Sequence, residues 1–218
     1  MWQTELIRLM KANANPEKAK PMSAYLRNQF TFLGIQTAQR RAICQPFFKL
    51  VAKEKKVDWN FLNSCWKEER EFQYIGKEYL SIKQAFLKDS DIPKIRKFIV
   101  TKSWWDTIDG LDQIVGRIAL VFPEVNEILL KWSVDSNFWL RRVAIDHQLS
   151  RKEKTNPELL EKIIVNNFGQ TEFFVNKAIG WSLRTYSKVN PNWVRCFVEK
   201  YRDQLAPLSF REAVKYLP

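Results

Sequence analysis

Apolar residues recur at spacings of three and four along the whole of this sequence, and almost nowhere alternate with polar ones over the length a strand needs. That period commits the chain to helices, so the expected fold is all-α. Helix starts are written into it as well. Asn15-Pro16, Asn156-Pro157 and Asn190-Pro191 each set a capping side chain before a proline suited to the first helical turn. Pro93, Pro123 and Pro207 mark further boundaries. The pattern predicts helices at 3–13, 16–29, 37–54, 59–67, 69–87, 91–101, 103–121, 124–134, 137–151, 157–168, 172–188, 191–203 and 208–217. No Gly/Ser/Pro-rich linker interrupts them, so residues 1–218 read as one domain.

The segment Asn137-Phe138-Trp139-Leu140-Arg141-Arg142-Val143-Ala144-Ile145 is echoed thirty-five residues on by Glu172-Phe173-Phe174-Val175-Asn176-Lys177-Ala178-Ile179-Gly180. Glu71-Phe72-Gln73-Tyr74-Ile75 and Ser209-Phe210-Arg211-Glu212-Ala213-Val214 repeat it more loosely. Degenerate helix pairs at this spacing fit a HEAT-like array, which curves and offers a concave face; an irregular helical bundle fits them equally well.

Nine Trp and fifteen Phe in 218 residues, 45% of which are apolar, supply ample core. The formal charge of +12 attracts polyanions. One histidine, His147, and three cysteines without C-x-x-C spacing exclude a zinc finger or a zinc-deaminase site, and no catalytic triad assembles around His147. Six glycines form neither G-x-G-x-x-G nor a P-loop, which argues against nucleotide cofactors. Without an apolar leader or a spanning stretch, a soluble cytoplasmic protein is expected.

Three helix faces set polar groups beside aromatics. After Ser103, the residues Trp104, Ile108, Leu111, Val115 and Ile118 form the core stripe, while Trp105 and Asp109 lie one turn apart on the next face. Trp105 either fills a seam beside a solvated acid or joins Asp109 in an anionic, aromatic site. On the helix after Asn137, Trp139, Arg142 and Asp146 share a face; Arg142 and Asp146 form a surface pair, or Arg142 grips a phosphate. After Thr171, Lys177, Trp181, Arg184 and Lys188 follow at spacings of four, three and four, a basic stripe broken by an indole: a solvated face or a nucleic-acid contact. The runs Lys53–Lys56 and Arg151–Lys154 read as solvated helix ends.

Several runs together resemble the AlkD-type DNA alkylation-repair glycosylases over nearly the whole chain. They are Thr101-Lys102-Ser103-Trp104-Trp105-Asp106-Thr107-Ile108-Asp109, Asn137-Phe138-Trp139-Leu140-Arg141-Arg142, Lys177-Ala178-Ile179-Gly180-Trp181-Ser182-Leu183-Arg184 and Phe32-Leu33-Gly34-Ile35-Gln36-Thr37, with Asn15-Pro16-Glu17-Lys18-Ala19 and Leu205-Ala206-Pro207-Leu208-Ser209 towards the ends. The resemblance implies a curved α-solenoid of HEAT-like repeats. It implies that duplex DNA lies in a concave basic groove, and that cationic N3- and N7-alkylpurines are released to leave an abasic site. Asp109 would be the catalytic carboxylate and Trp105 and Trp181 aromatic walls beside the lesion. Arg142 would contact a phosphate, and Tyr25, Gln36 and Thr37 match positions near the DNA.

Some relatives lack the N-terminal DNA-contacting helix and the activity; residues 16–30 are present here, as in the active type. The chain stops at Pro218 where the family often continues, and a shortened final helix is expected to weaken DNA binding or stability. Without a lysine marked as a Schiff-base nucleophile, hydrolysis without strand cleavage is expected, by a monomer that needs neither metal nor cofactor. The competing readings are a non-catalytic DNA-binding paralogue and a protein-interaction solenoid.

Overall fold

The computed structural model describes residues 2–217 and contains, among them, thirteen α-helices and no strand. Every expected helix is present, mostly with its start within two residues of the expected place. The stops come early. The helix expected at 16–29 ends at Tyr25 and the one expected at 137–151 ends at Asp146. Few glycines are available to mark C-termini, and the chain turns instead at non-glycine residues in the left-handed region, Arg27 at φ 55° and Asn28 at 56°, and Lys152 at 51°. The expected caps form: the side chains of Asn15, Asn156 and Asn190 accept the backbone N–H of Lys18, Leu159 and Trp193.

The chain divides into two compact units, residues 1–87 and 88–218. The boundary lies between two short 3-10 turns, at 84–86 and 89–91, which need no linker composition.

The first unit contains α1 (Trp2–Ala12), α2 (Pro16–Tyr25), α3 (Thr37–Val51), α4 (Trp59–Cys65) and α5 (Arg70–Ile82). Its organising residue is Glu71 at the start of α5, fully buried, whose carboxylate accepts the backbone N–H groups of Leu33, Gly34 and Ile35 at 3.0, 2.8 and 3.0 Å. The strand-like segment between α2 and α3 thereby gains the donors' partners that no sheet supplies. Gly34 makes this geometry accessible: its φ is +86°, and a Cβ there would lie 2.0 Å from the Asn15 carbonyl oxygen. Replacing Glu71 by Ala strands three buried donors and is expected to cost about 3 kcal/mol in urea unfolding. A loss under about 1 kcal/mol would show that water takes the carboxylate's place.

The second unit contains α6 (Ile92–Ile99), α7 (Trp105–Val121), α8 (Val125–Trp132), α9 (Phe138–Asp146), α10 (Pro157–Val165), α11 (Phe173–Ser187), α12 (Pro191–Lys200) and α13 (Pro207–Ala213). Here the sequence echo has a structural counterpart. Helices α7, α9, α11 and α13 pack in succession, α9 on α7, α11 on α9 and α13 on α11, while α6, α8, α10 and α12 back them. Side-chain bonds tie each member of the row to the next at separations of 33 to 37 residues, as in Ser182 Oγ to the Ile145 carbonyl and Ser209 Oγ to the Asn176 carbonyl.

Ile108, Leu111, Val115 and Ile118 form the buried stripe of α7, as the spacing predicts. The row is close-packed, since a Cβ on Gly116 of α7 would stand 1.9 Å from the His147 carbonyl oxygen. In the Arg151–Lys154 run, Lys152, Glu153 and Lys154 are exposed, as expected of a solvated end, and Arg151 is the exception. Arg151 is buried and donates to the Gly116 carbonyl at 3.0 Å, supplying a cation to backbone acceptors; burial lowers its pKa to about 10.

Candidate active site

Of the four residues expected to form one site, Arg142 joins Asp109 to Trp181 in the second unit, and Trp105 lies one turn before Asp109. Asp109 and Trp105 lie one turn apart near the start of α7, both half-buried. Arg142 of α9 donates to Asp109 Oδ1 twice, from Nε at 3.0 Å and from Nη2 at 2.7 Å, and its guanidinium carbon lies 5.9 Å from the centre of the Trp181 ring on α11. One cation therefore spans three successive helices of the row.

Arg142 is not the surface cation that its spacing suggests. Its side chain is only 4% exposed, and its third nitrogen, Nη1, donates to the Phe174 carbonyl at 2.7 Å. These bonds commit it to Asp109, whose side chain keeps 24% exposure. Asp146, read from sequence as half of a surface pair, is also fully buried; its Oδ2 lies 3.6 Å from Arg142 Nη2 and its Oδ1 accepts from Ser182 Oγ at 3.1 Å.

Behind these stands an acid that sequence reasoning missed. Asp112 is fully buried, and carboxylate oxygens of Asp109, Asp112 and Asp146 lie within 4.8 Å of one another. A signal for it exists: Asp112 follows Ile108 by four and precedes Val115 by three, which sets it on the apolar face. Three acids face one guanidinium, so they cannot all ionise cheaply. Burial, then the charges of Asp146 and Asp109, hold Asp112 protonated well above the usual carboxylate range. Burial also pushes Asp146 up to about 7, against the opposing pull of Arg142 and the Ser182 hydrogen bond. Burial disfavours the charged guanidinium, but the neighbouring acids outweigh it and Arg142 is held more firmly protonated than usual.

An aromatic cluster closes this end of the site. Phe174 lies 5.3 Å from Trp104 and 4.8 Å from Trp139, ring centre to ring centre, and Trp104 lies 6.0 Å from Trp139. Trp104 precedes α7 in extended backbone, so it reaches this cluster rather than the middle of the stripe.

The basic stripe of α11 is altered by a residue far along the chain. Glu212 of α13 accepts from Lys177 at 2.7 Å and also from Arg184, which leaves Lys188 as the exposed member, its ammonium 4.9 Å from the centre of the Tyr216 ring. Cations counted along one helix cannot reveal a counter-ion thirty residues away. Tyr25, Gln36 and Thr37 of the first unit are exposed. His147 is buried, its Nδ1 donates to the Ala144 carbonyl at 2.6 Å, and burial keeps it neutral down to a pKa of about 3. No described helix is long and apolar enough to cross a membrane.

Comparisons with known proteins agree in kind. The family described as DNA alkylation repair enzyme is matched over residues 6–217. The chain is also similar to a solved structure described as a predicted DNA alkylation repair enzyme from Enterococcus faecalis. The two are 34% identical, 94% of this chain and 96% of that one are covered, and the TM-score is 0.86. No curated protein matches the chain.

Proposed function

This chain belongs to the DNA alkylation repair enzyme family, which gives it a role in the repair of alkylated DNA, and on that premise we propose that it is a monofunctional glycosylase acting on cationic N3- and N7-alkylpurines in duplex DNA. The observation that carries the reading is Asp109: a carboxylate open to solvent on one side, gripped by buried Arg142 on the other, with Trp105 one turn away and Trp181 beside the guanidinium.

An alkyl group on N3 or N7 gives the purine a positive charge, so it leaves as a neutral base and needs little help from a general acid. The sugar is what must be stabilised. As the glycosidic bond lengthens, positive charge moves onto an oxocarbenium-like deoxyribose; Asp109 stabilises that charge and orients or deprotonates the attacking water. The indole faces of Trp105 and Trp181 add about 0.5–2 kcal/mol of cation–π attraction to the lesion and sugar. An undamaged purine carries no charge to be attracted, and selectivity follows without a deep base-reading pocket. Lys188, Tyr25, Gln36 and Thr37 are assigned to the duplex, and the formal charge of +12 draws it in.

Incubation with duplex DNA carrying N7-methylguanine or N3-methyladenine is expected to release the free base and leave an abasic site, with the strand intact until alkali is added. Binding without release at micromolar protein would remove the enzymatic reading and leave a non-catalytic DNA-binding protein.

A further inference from the structure

We propose that Asp146 is a positioning residue for Asp109, acting through Arg142 to fix the orientation and the charge balance of the carboxylate that faces the sugar. The inference deepens the proposed excision and rests on it for the role of Asp109.

The geometry forms a relay across three helices. Ser182 of α11 donates from Oγ to Asp146 Oδ1 at 3.1 Å and to the Ile145 carbonyl at 3.0 Å, which fixes the Asp146 carboxylate at the end of α9. Asp146 meets Arg142 Nη2 at 3.6 Å, one turn earlier on the same helix. Arg142, held on its far side by the Phe174 carbonyl, turns Nε and Nη2 together onto Asp109 Oδ1. Asp146 touches neither solvent nor any site a substrate could enter, because it is 0% exposed. Whatever it does for the reaction is transmitted through Arg142.

The charges around it are few and all accounted for. Helix α7 presents Asp109 and Asp112, α9 presents Arg142, and α11 presents the Ser182 hydroxyl, the cations Lys177 and Arg184 being held by Glu212. Neighbouring His147 is buried and neutral. Helices α6, α8 and α10 carry solvent-exposed charges, apart from Glu161, which bonds Lys200 and Tyr201. Asp146 therefore titrates against Asp109, Asp112 and Arg142. Asp109 raises the pKa of Asp146, and the coupling is reciprocal: an ionised Asp146 makes Asp109 harder to ionise and more basic once ionised. A more basic carboxylate, with its guanidinium partner shared, is the better stabiliser of a cationic sugar.

Asp146→Asn tests this, because it keeps shape and removes charge. The Asp109 carboxyl carbon, followed by NMR in aspartate labelled with carbon-13 and identified by its loss in Asp109→Asn, is expected to show in the wild type a chemical-shift step near pH 7, where Asp146 ionises, and to lose that step in Asp146→Asn. The excision rate should lose the matching rise through pH 7, with kcat at pH 8 down about tenfold and KM for the methylated duplex unchanged. Ser182→Ala, which removes the hydrogen bond that favours the ionised Asp146 along with the one to the Ile145 carbonyl, is expected to move the step to higher pH, and serves if Asp146→Asn does not fold. An identical Asp109 response in wild type and both variants would overturn the proposal. A step that is lost in Asp146→Asn, in a protein that releases no base, would sustain the coupling while overturning the glycosylase reading.

Discussion

Replacing Asp109 by Asn is expected to slow release of N7-methylguanine about a thousandfold while the protein stays folded and binds duplex DNA almost as before. The magnitude follows from one charge. A carboxylate about 4 Å from a developing cation, at an effective dielectric near 20, contributes about 4 kcal/mol, and if the interaction exists only in the transition state all of it appears in the rate. Asn retains the Oδ1 acceptor to which Arg142 Nε and Nη2 donate, and the side chain is partly solvated, so the fold loses little. Single-turnover release from a methylated duplex, set beside binding measured at the same salt, separates the two effects. An undiminished rate in Asp109→Asn would place the chemistry elsewhere. A fall in binding as large as the fall in rate would make Asp109 a structural residue.

Arg142→Met is expected to damage stability, by about 3–5 kcal/mol at pH 8 and clearly less at pH 5, in urea unfolding followed at both values. Methionine replaces the aliphatic stem but leaves Asp146 and Asp112 buried without their cation. The pH dependence has a definite sign. Burial raises both acids in the folded protein, Asp146 from 3.8 to about 7, so the native state holds protons that the unfolded chain has released. Stability from such groups is fully present below the unfolded pKa and is lost as pH rises towards the folded one. Arg142 opposes that loss by favouring the ionised forms. Without it the acids stay protonated at higher pH, and the penalty relative to the wild type widens from pH 5 to pH 8. A deficit equal at both pH values would mean that the acids do not depend on Arg142.

The two predictions concern one constellation, and they divide it by function. Asp109 faces outward, so its loss is expected to be felt in rate; Arg142 is inside, so its loss is expected to be felt first in folding. Asp146 is proposed to lie between these roles, acting on the rate from a buried position. Glu212 has a comparable structural part at the other end of α11, where its one carboxylate pairs with two of the three cations flanking Trp181. The net positive charge of that face is therefore smaller than its sequence indicates.

Local physics was legible in the amino-acid order. Helical period, Asn-Pro caps and the apolar stripe of α7 depend on neighbours within about four residues, and each is found where the spacing puts it. The placement of Trp105 one turn before Asp109 belongs to the same category, since both lie within one helix. What the sequence could not express is partnership across helices. Which partner Arg142 finds, whether Asp146 is solvated or sealed in, and whether Lys177 and Arg184 meet a counter-ion all depend on contacts between residues some thirty positions apart. Packing α7 against α9, α11 and α13 settled each of them, because removal from water makes an unpaired charge costly and obliges every buried ion to find the partner that the fold brings within reach.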